Sequence, residues 1–186
     1  DPRPAPRSYL ERSGGLYRDM TIHNFDCVRW LMGREAVAIS TVAQALTDPM
    51  FAELGDVDTS VVTLTFDGGG IAMIDNSRRS GFGYDVRTEV FGSEGALFVG
   101  EQRHTPLLRF DSAGVHHDHV DWFIDRFEQA YEAELASFLL ALAEDREVGV
   151  TGDDGRAALS LAFAAERSLA EHRTVLLEEI TGETTT

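Results

Sequence analysis

Apolar positions recur at helical spacing at both ends of the chain and at strand spacing between them. Ile22, Phe25, Val28, Leu31 and Met32 share one helical face, with Gly33 as a C-terminal stop. From Ala36 to Val99 the period changes to two. Val37–Ala43 is rich in branched residues, and in Thr59–Phe66 the apolar Val62, Leu64 and Phe66 alternate with Val61, Thr63 and Thr65. Asp67-Gly68-Gly69-Gly70 predicts a hairpin turn into Ile71–Asp75. Val86, Thr88 and Val90 alternate with Arg87, Glu89 and Phe91, and Gly92-Ser-Glu-Gly95 turns the chain into Ala96–Val99. Phe123, Phe127, Tyr131, Leu135, Phe138 and Leu142 then mark a long helix. A second runs from about Asp153 to Glu171 along Ala158, Leu161, Ala165 and Leu169, with Thr151 as its N-cap. A short strand, Thr174–Leu177, adds an edge.

Successive hairpins with no helix between them predict antiparallel pairing. The expected fold class is therefore α+β: an open, mainly antiparallel β-sheet with helices packed on one face. The other face mixes Thr, Val, Met and Phe, too apolar for water, and predicts burial against a partner as a homodimer or homotetramer. Three of the five prolines fall within Asp1–Arg12. The expected organisation is a proline-rich arm over 1–13, a single folded unit over 14–180 and a flexible tail over 181–186.

Composition narrows the partners. The 186 residues carry 32 acidic side chains against 16 basic ones, all arginine, for a net charge of −16. Phosphate binding needs clustered cations, so neither nucleic acid nor an anionic membrane is expected. A single cysteine, Cys27, excludes an internal disulfide or a Cys-rich zinc site and fits a reducing, cytoplasmic setting. No apolar run reaches the length of about 18 residues that spans a bilayer, and the N-terminus shows no charged-then-apolar leader.

Two constellations carry chemistry. Asp19 and His23 stand four apart, so a helix starting near Asp19 puts both on one face. A carboxylate beside an imidazole forms a general acid–base unit near neutral pH; the plain alternative is a helix cap and a packed or solvated histidine. Asp75-Asn76-Ser77-Arg78-Arg79 followed by Gly81-Phe82-Gly83-Tyr84 places many hydrogen-bonding groups at a strand end beside an aromatic. Such a set suits a polyol, or is merely a charged hairpin tip. His116-His117-Asp118-His119 reads as a solvated loop in preference to a metal site, because adjacent residues point apart. No Gly-x-Gly-x-x-Gly, Walker lysine or Gly-x-Ser-x-Gly is present.

The segment Gly15-Leu-Tyr-Arg-Asp19-Met-Thr-Ile-His23-Asn-Phe-Asp26 resembles the start of the C-terminal domain of the Gfo/Idh/MocA oxidoreductases, and within them the inositol 2-dehydrogenases. Asp48-Pro49 with Gly55–Thr59, Ile74–Arg79 with Tyr84-Asp85 and Glu89–Gly92, and Phe127–Glu134 with Thr151–Leu159 agree in order, from Ser8 to Ile180. That resemblance implies an N-terminal Rossmann domain binding NAD, with a catalytic lysine in a Glu-Lys-Pro turn, neither of which these residues include. It implies that His23 takes the proton from a substrate hydroxyl while the neighbouring C–H leaves as hydride. Asp19 would bind that hydroxyl and orient the imidazole, and Tyr84 would contact substrate; Asn76, among the polar groups at the strand end, is expected to contact it as well. Phe82 and Val86 depart from the more polar flanks of Tyr84 in the inositol enzymes. The expectation is the substrate domain of an NAD-dependent enzyme oxidising a secondary ring hydroxyl of an inositol to a ketone, inactive without its cofactor domain. Its rivals are a sugar dehydrogenase of the same family, a non-catalytic assembly module pairing through the open sheet face, and a metal-binding accessory domain.

Overall fold

In Thr59–Phe66 the side chains of Ser60, Val62, Leu64 and Phe66 are buried and Val61, Thr63 and Thr65 are exposed or partly so, as the period of two requires. The computed structural model describes Pro2, residues 5–100 and residues 103–182. In chain order the elements are α1 (Arg7–Ser13), a single π turn (Tyr17–Thr21), α2 (Ile22–Met32), β1 (Ala36–Gln44), α3 (Pro49–Glu53), β2 (Thr59–Phe66) and β3 (Ile71–Ser77). There follow β4 (Thr88–Gly92), β5 (Gly95–Val99), β6 (Leu108–Asp111), β7 (Gly114–His117), α4 (Phe123–Ala143), α5 (Gly152–Glu171), β8 (Val175–Leu176) and α6 (Glu178–Thr181). Residues 1, 3 and 4 of the expected arm, and 183–186 of the expected tail, lie outside the described residues.

The chain divides into two compact units, one running through Ala5–Arg78 and on from Val150, the other through Arg79–Gly149, where length alone predicts one. In the first, β3, β2, β1 and β8 lie side by side in that order, every pair antiparallel. Helix α5 packs on β1 and against α2, closing a core of Leu16, Phe25, Ile39, Val62, Leu64 and Val175. An α+β fold with an open antiparallel sheet is what the pattern predicts. In the second unit β4–β5 and β6–β7 are separate hairpins accompanied by α4. They do not continue the first sheet as one meander: β3 is its edge, and Arg78 to Arg87 form no strand, so pairing starts afresh at Thr88.

Local chemistry explains the ends. Thr151 Oγ1 accepts from Asp153 N at 3.2 Å, while Asp154 returns the favour to Thr151 N at 2.8 Å, a reciprocal cap that starts α5. Ala158, Ala162 and Ala165 line its inner face and let it approach β1 closely. Ser168 joins them: its Oγ accepts from Thr41 N of β1 at 3.0 Å and donates to Arg173 O. That satisfies a backbone N–H which the two-residue β8 does not reach. Arg7–Ser13, expected to be extended, is helical instead. Pro6 is its N-cap, where a missing N–H costs no helical bond, and Arg7 pairs with Glu11 one turn on at 3.1 Å.

On the outer face of the first sheet Val42 lies beside Val61, Thr63 beside Met73 and Thr65 beside Ile71. Ile71 and Met73 are 77% and 71% exposed, so this face is open in the single chain. Among the described residues no helix is long and apolar enough to cross a membrane.

Candidate functional site

The site is built where α1, the π turn and the end of β3 meet, all within the first unit. Gly14 and Gly15 both have positive φ, 89° and 86°, and reverse the chain after α1. At Gly15 that backbone strains any side chain, and a Cβ would press on Asp56 Oδ1 at 3.1 Å. The same oxygen accepts from Leu16 N at 3.1 Å and Val57 N at 2.8 Å. The π turn that follows is a rare geometry, found mostly as single turns and often at functional sites. It carries Asp19; His23 lies in the first turn of α2.

Asp58 fixes the backbone from which Arg78 is held. Fully buried, it accepts from Leu46 N, Thr47 N, Thr47 Oγ1, Asp48 N and Thr59 Oγ1 at 2.8–3.2 Å. Burial by itself pushes this carboxyl up, but the hydrogen bonds from Leu46, Thr47 and Thr59 outweigh it and hold it below its ordinary value. Asp58 O also accepts from Arg78 N at 2.8 Å, which sets Arg78 at the end of β3.

Arg78 is the centre of the cluster. Nη1 donates to Asp19 Oδ2 at 2.7 Å, Nη2 lies 3.7 Å from Asp56 Oδ2, and the guanidinium carbon stands 5.8 Å from the centroid of the Phe51 ring. The Arg78 side chain is 6% exposed and that of Asp19 13%. Arg78 Nε and Nη2 and Asp56 Oδ2 have no hydrogen-bond partner among the described residues. Tyr9 of α1 donates its hydroxyl to Asp19 Oδ1. That bond first, and then partial burial, push the Tyr9 hydroxyl above its ordinary value, so it remains a donor at neutral pH.

His23 is exposed and makes no hydrogen bond among the described residues. The expected bond from Asp19 to its ring is absent; the Asp19 oxygens face a hydroxyl and a guanidinium instead. Beside His23, Asn24 Oδ1 accepts from Asn76 Nδ2 of β3 at 3.0 Å, and Asn76 Oδ1 is buried without a partner among the described residues. Asn76 thus meets Asn24 as Arg78 meets Asp19: the end of β3 lies along the π turn and the start of α2. Two carboxylates, two amides and an exposed imidazole offer acceptors and a proton-accepting ring to a neutral, hydroxyl-rich ligand.

Tyr84, expected to contact substrate, belongs to the second unit. Its ring meets Phe123 and Phe127 at centroid distances of 6.4 and 6.0 Å, and burial first, then Tyr131, push its hydroxyl up. The histidine tract is not the expected loop throughout. His116 and His117 sit in β7, with His116 Nε2 3.1 Å from Asp111 Oδ1 and the His117 and His119 rings 4.8 Å apart. Among the described residues no three His, Cys, Asp or Glu side chains are grouped to hold a metal ion.

Residues 1–98 match the family model described as the GFO/IDH/MocA C-terminal domain. A myo-inositol 2-dehydrogenase of Thermotoga maritima is 42% identical over 183 residues, which are 98% of this chain and 55% of that protein. This chain belongs to the Gfo/Idh/MocA family. Among solved structures, the Gfo/Idh/MocA chain matches a probable dehydrogenase from Thermotoga maritima with a TM-score of 0.93 at 41% identity, over 97% of this chain and 55% of that one. A myo-inositol dehydrogenase from Lactobacillus casei, solved in complex with NAD(H) and myo-inositol, gives 0.79 at 28% identity, over 93% and 50%. The chain spans about half the length of the curated relatives it matches.

Two contacts of the cluster escape a reading of the sequence, the pairing of Arg78 with Asp19 and that of Tyr9 with the same carboxylate. Arg78 lies 59 residues from Asp19, and no spacing rule links them. Tyr9 falls in a stretch whose prolines suggest an extended chain; the signal against that was Pro6 directly before seven residues with an Arg7–Glu11 pair.

Proposed function

We propose that this chain is the substrate half of an NAD-dependent inositol 2-dehydrogenase, in which a secondary ring hydroxyl is oxidised to a ketone and the hydride passes to NAD. The observation that carries it is an exposed, uncommitted imidazole, His23, one turn from a carboxylate locked in place by Tyr9 and Arg78, in a family whose relatives include inositol dehydrogenases. His23 accepts the proton of the reacting hydroxyl; Asp19 and Asn76 accept or donate hydrogen bonds to hydroxyls of the same ring. An uncharged polyol suits these groups, which supply hydrogen-bond acceptors and amide donors.

The described strand pairs are all antiparallel, and none leads through a glycine-rich turn into a helix. No step at the cofactor is therefore assigned to the described residues. The experiment uses the full-length polypeptide that contains this chain, with NAD and a panel of inositols and sugars. Reduced cofactor accumulates with an inositol as the best substrate, and His23→Ala lowers kcat about 10²–10⁴-fold. The 186-residue chain alone gives no turnover. Full turnover by His23→Ala refutes the assignment and leaves an assembly module.

One observation favours an assembly role beside the catalytic one. The exposed outer face holding Val42, Ile71 and Met73 suits a sheet-to-sheet contact between copies, as a homodimer or homotetramer.

A further inference from the structure

Both oxygens of Asp19 are engaged within the chain itself. Oδ1 accepts from the Tyr9 hydroxyl, ten residues earlier, and Oδ2 from Arg78 Nη1, 59 residues later. We propose that Tyr9 and Arg78 are positioning residues: together they hold Asp19 as an oriented acceptor for a substrate hydroxyl and keep it off His23, so that binding and proton transfer fall to different side chains. It rests on Asp19 binding substrate, as set out above.

The two donors contribute differently. Arg78 is placed by its own backbone N–H on Asp58 O, faces Asp56 on its far side and lies over Phe51, so its cation is fixed from three directions. It fixes one Asp19 oxygen with a charge-assisted bond. Tyr9 fixes the other, and with both held the carboxylate cannot turn about its bond to Cβ. Each carboxylate oxygen accepts more than one hydrogen bond, so the clamp leaves lone pairs for a ligand while setting their direction. A carboxylate freed on one side can rotate towards the imidazole one turn along, exchanging a ligand contact for an internal one.

Tyr9→Phe tests this cleanly, because Tyr9 is half exposed and the ring that packs is retained. In the full-length protein, the KM for myo-inositol rises about five- to tenfold while kcat stays within about twofold, the signature of lost binding with intact chemistry. The KM for NAD and the thermal midpoint do not move, and the calorimetric affinity for myo-inositol falls with KM. Asp19→Asn lowers kcat/KM by at least as much, and Tyr9→Phe combined with Asp19→Asn is no worse than Asp19→Asn alone, since the hydroxyl acts only through the carboxylate. A silent Tyr9→Phe, or losses that multiply in the double variant, overturns the positioning role while leaving Asp19 in the site. A silent Asp19→Asn removes Asp19 from substrate binding altogether, and the positioning role falls with it.

Discussion

Replacing Arg78 with methionine removes one charge from the middle of the first unit and leaves a side chain of similar reach. The cost follows from what stays behind. Asp19, 13% exposed, loses its partner at 2.7 Å, and Asp56, 16% exposed, loses a cation at 3.7 Å. Two carboxylates largely withdrawn from water then have no counter-charge, and removing one partner of such a buried pair costs about 3–5 kcal/mol. In a chain of 186 residues each kcal/mol shifts the midpoint by about 2–4 °C, so Arg78→Met melts about 6–20 °C lower. Urea unfolding followed by circular dichroism gives the free energy directly. The control is Arg78→Met with Asp19→Asn: the amide keeps an acceptor for Tyr9 and removes the stranded charge, so part of the loss returns. A loss of less than about 1 kcal/mol for Arg78→Met puts this pair among solvated surface ion pairs and refutes the clamp's energetics.

Asp58→Asn leaves an amide facing backbone and hydroxyl donors and costs about 2–3 kcal/mol at neutral pH. Because the folded-state carboxyl is held below its ordinary value, its contribution is complete above about pH 5 and is lost as pH falls through about 4 and lower, so the gap between the two proteins narrows there. A gap independent of pH contradicts the hydrogen-bond account. Met73→Glu on the outer face of β3 changes stability by no more than about 0.5 kcal/mol but lowers the sedimenting mass if that face joins subunits. An unchanged oligomer, or a monomer to begin with, places the contact elsewhere.

Much of the fold was legible because it depends on near neighbours. The alternation in Thr59–Phe66, the reciprocal cap at Thr151 and the left-handed Gly33 after α2 are each decided within a few residues. Helix α1 is hidden because proline signals extension, although before a helix it removes only an N–H that has no helical partner. Hairpin signals say which strands can pair locally but not whether Arg78 to Arg87 continue the edge, so the pattern suggests one sheet where the described residues form three. The π turn has no periodic signature at all.

The candidate site shows the same division more sharply. Four-residue spacing suggests that Asp19 and His23 share one helical face and are partners, whereas Asp19 lies in the π turn and His23 in α2. Which groups bind is decided by competition for the carboxylate, and there a guanidinium at 2.7 Å, buried and charged, outranks an exposed imidazole. Asp19 is thereby held in one orientation, while His23 makes no hydrogen bond among the described residues. A proton acceptor needs that freedom, and a rigid hydroxyl ligand needs the oriented oxygen. On the proposed reading, this separation, which sequence spacing does not reveal, lets the two side chains act on one hydroxyl without binding each other.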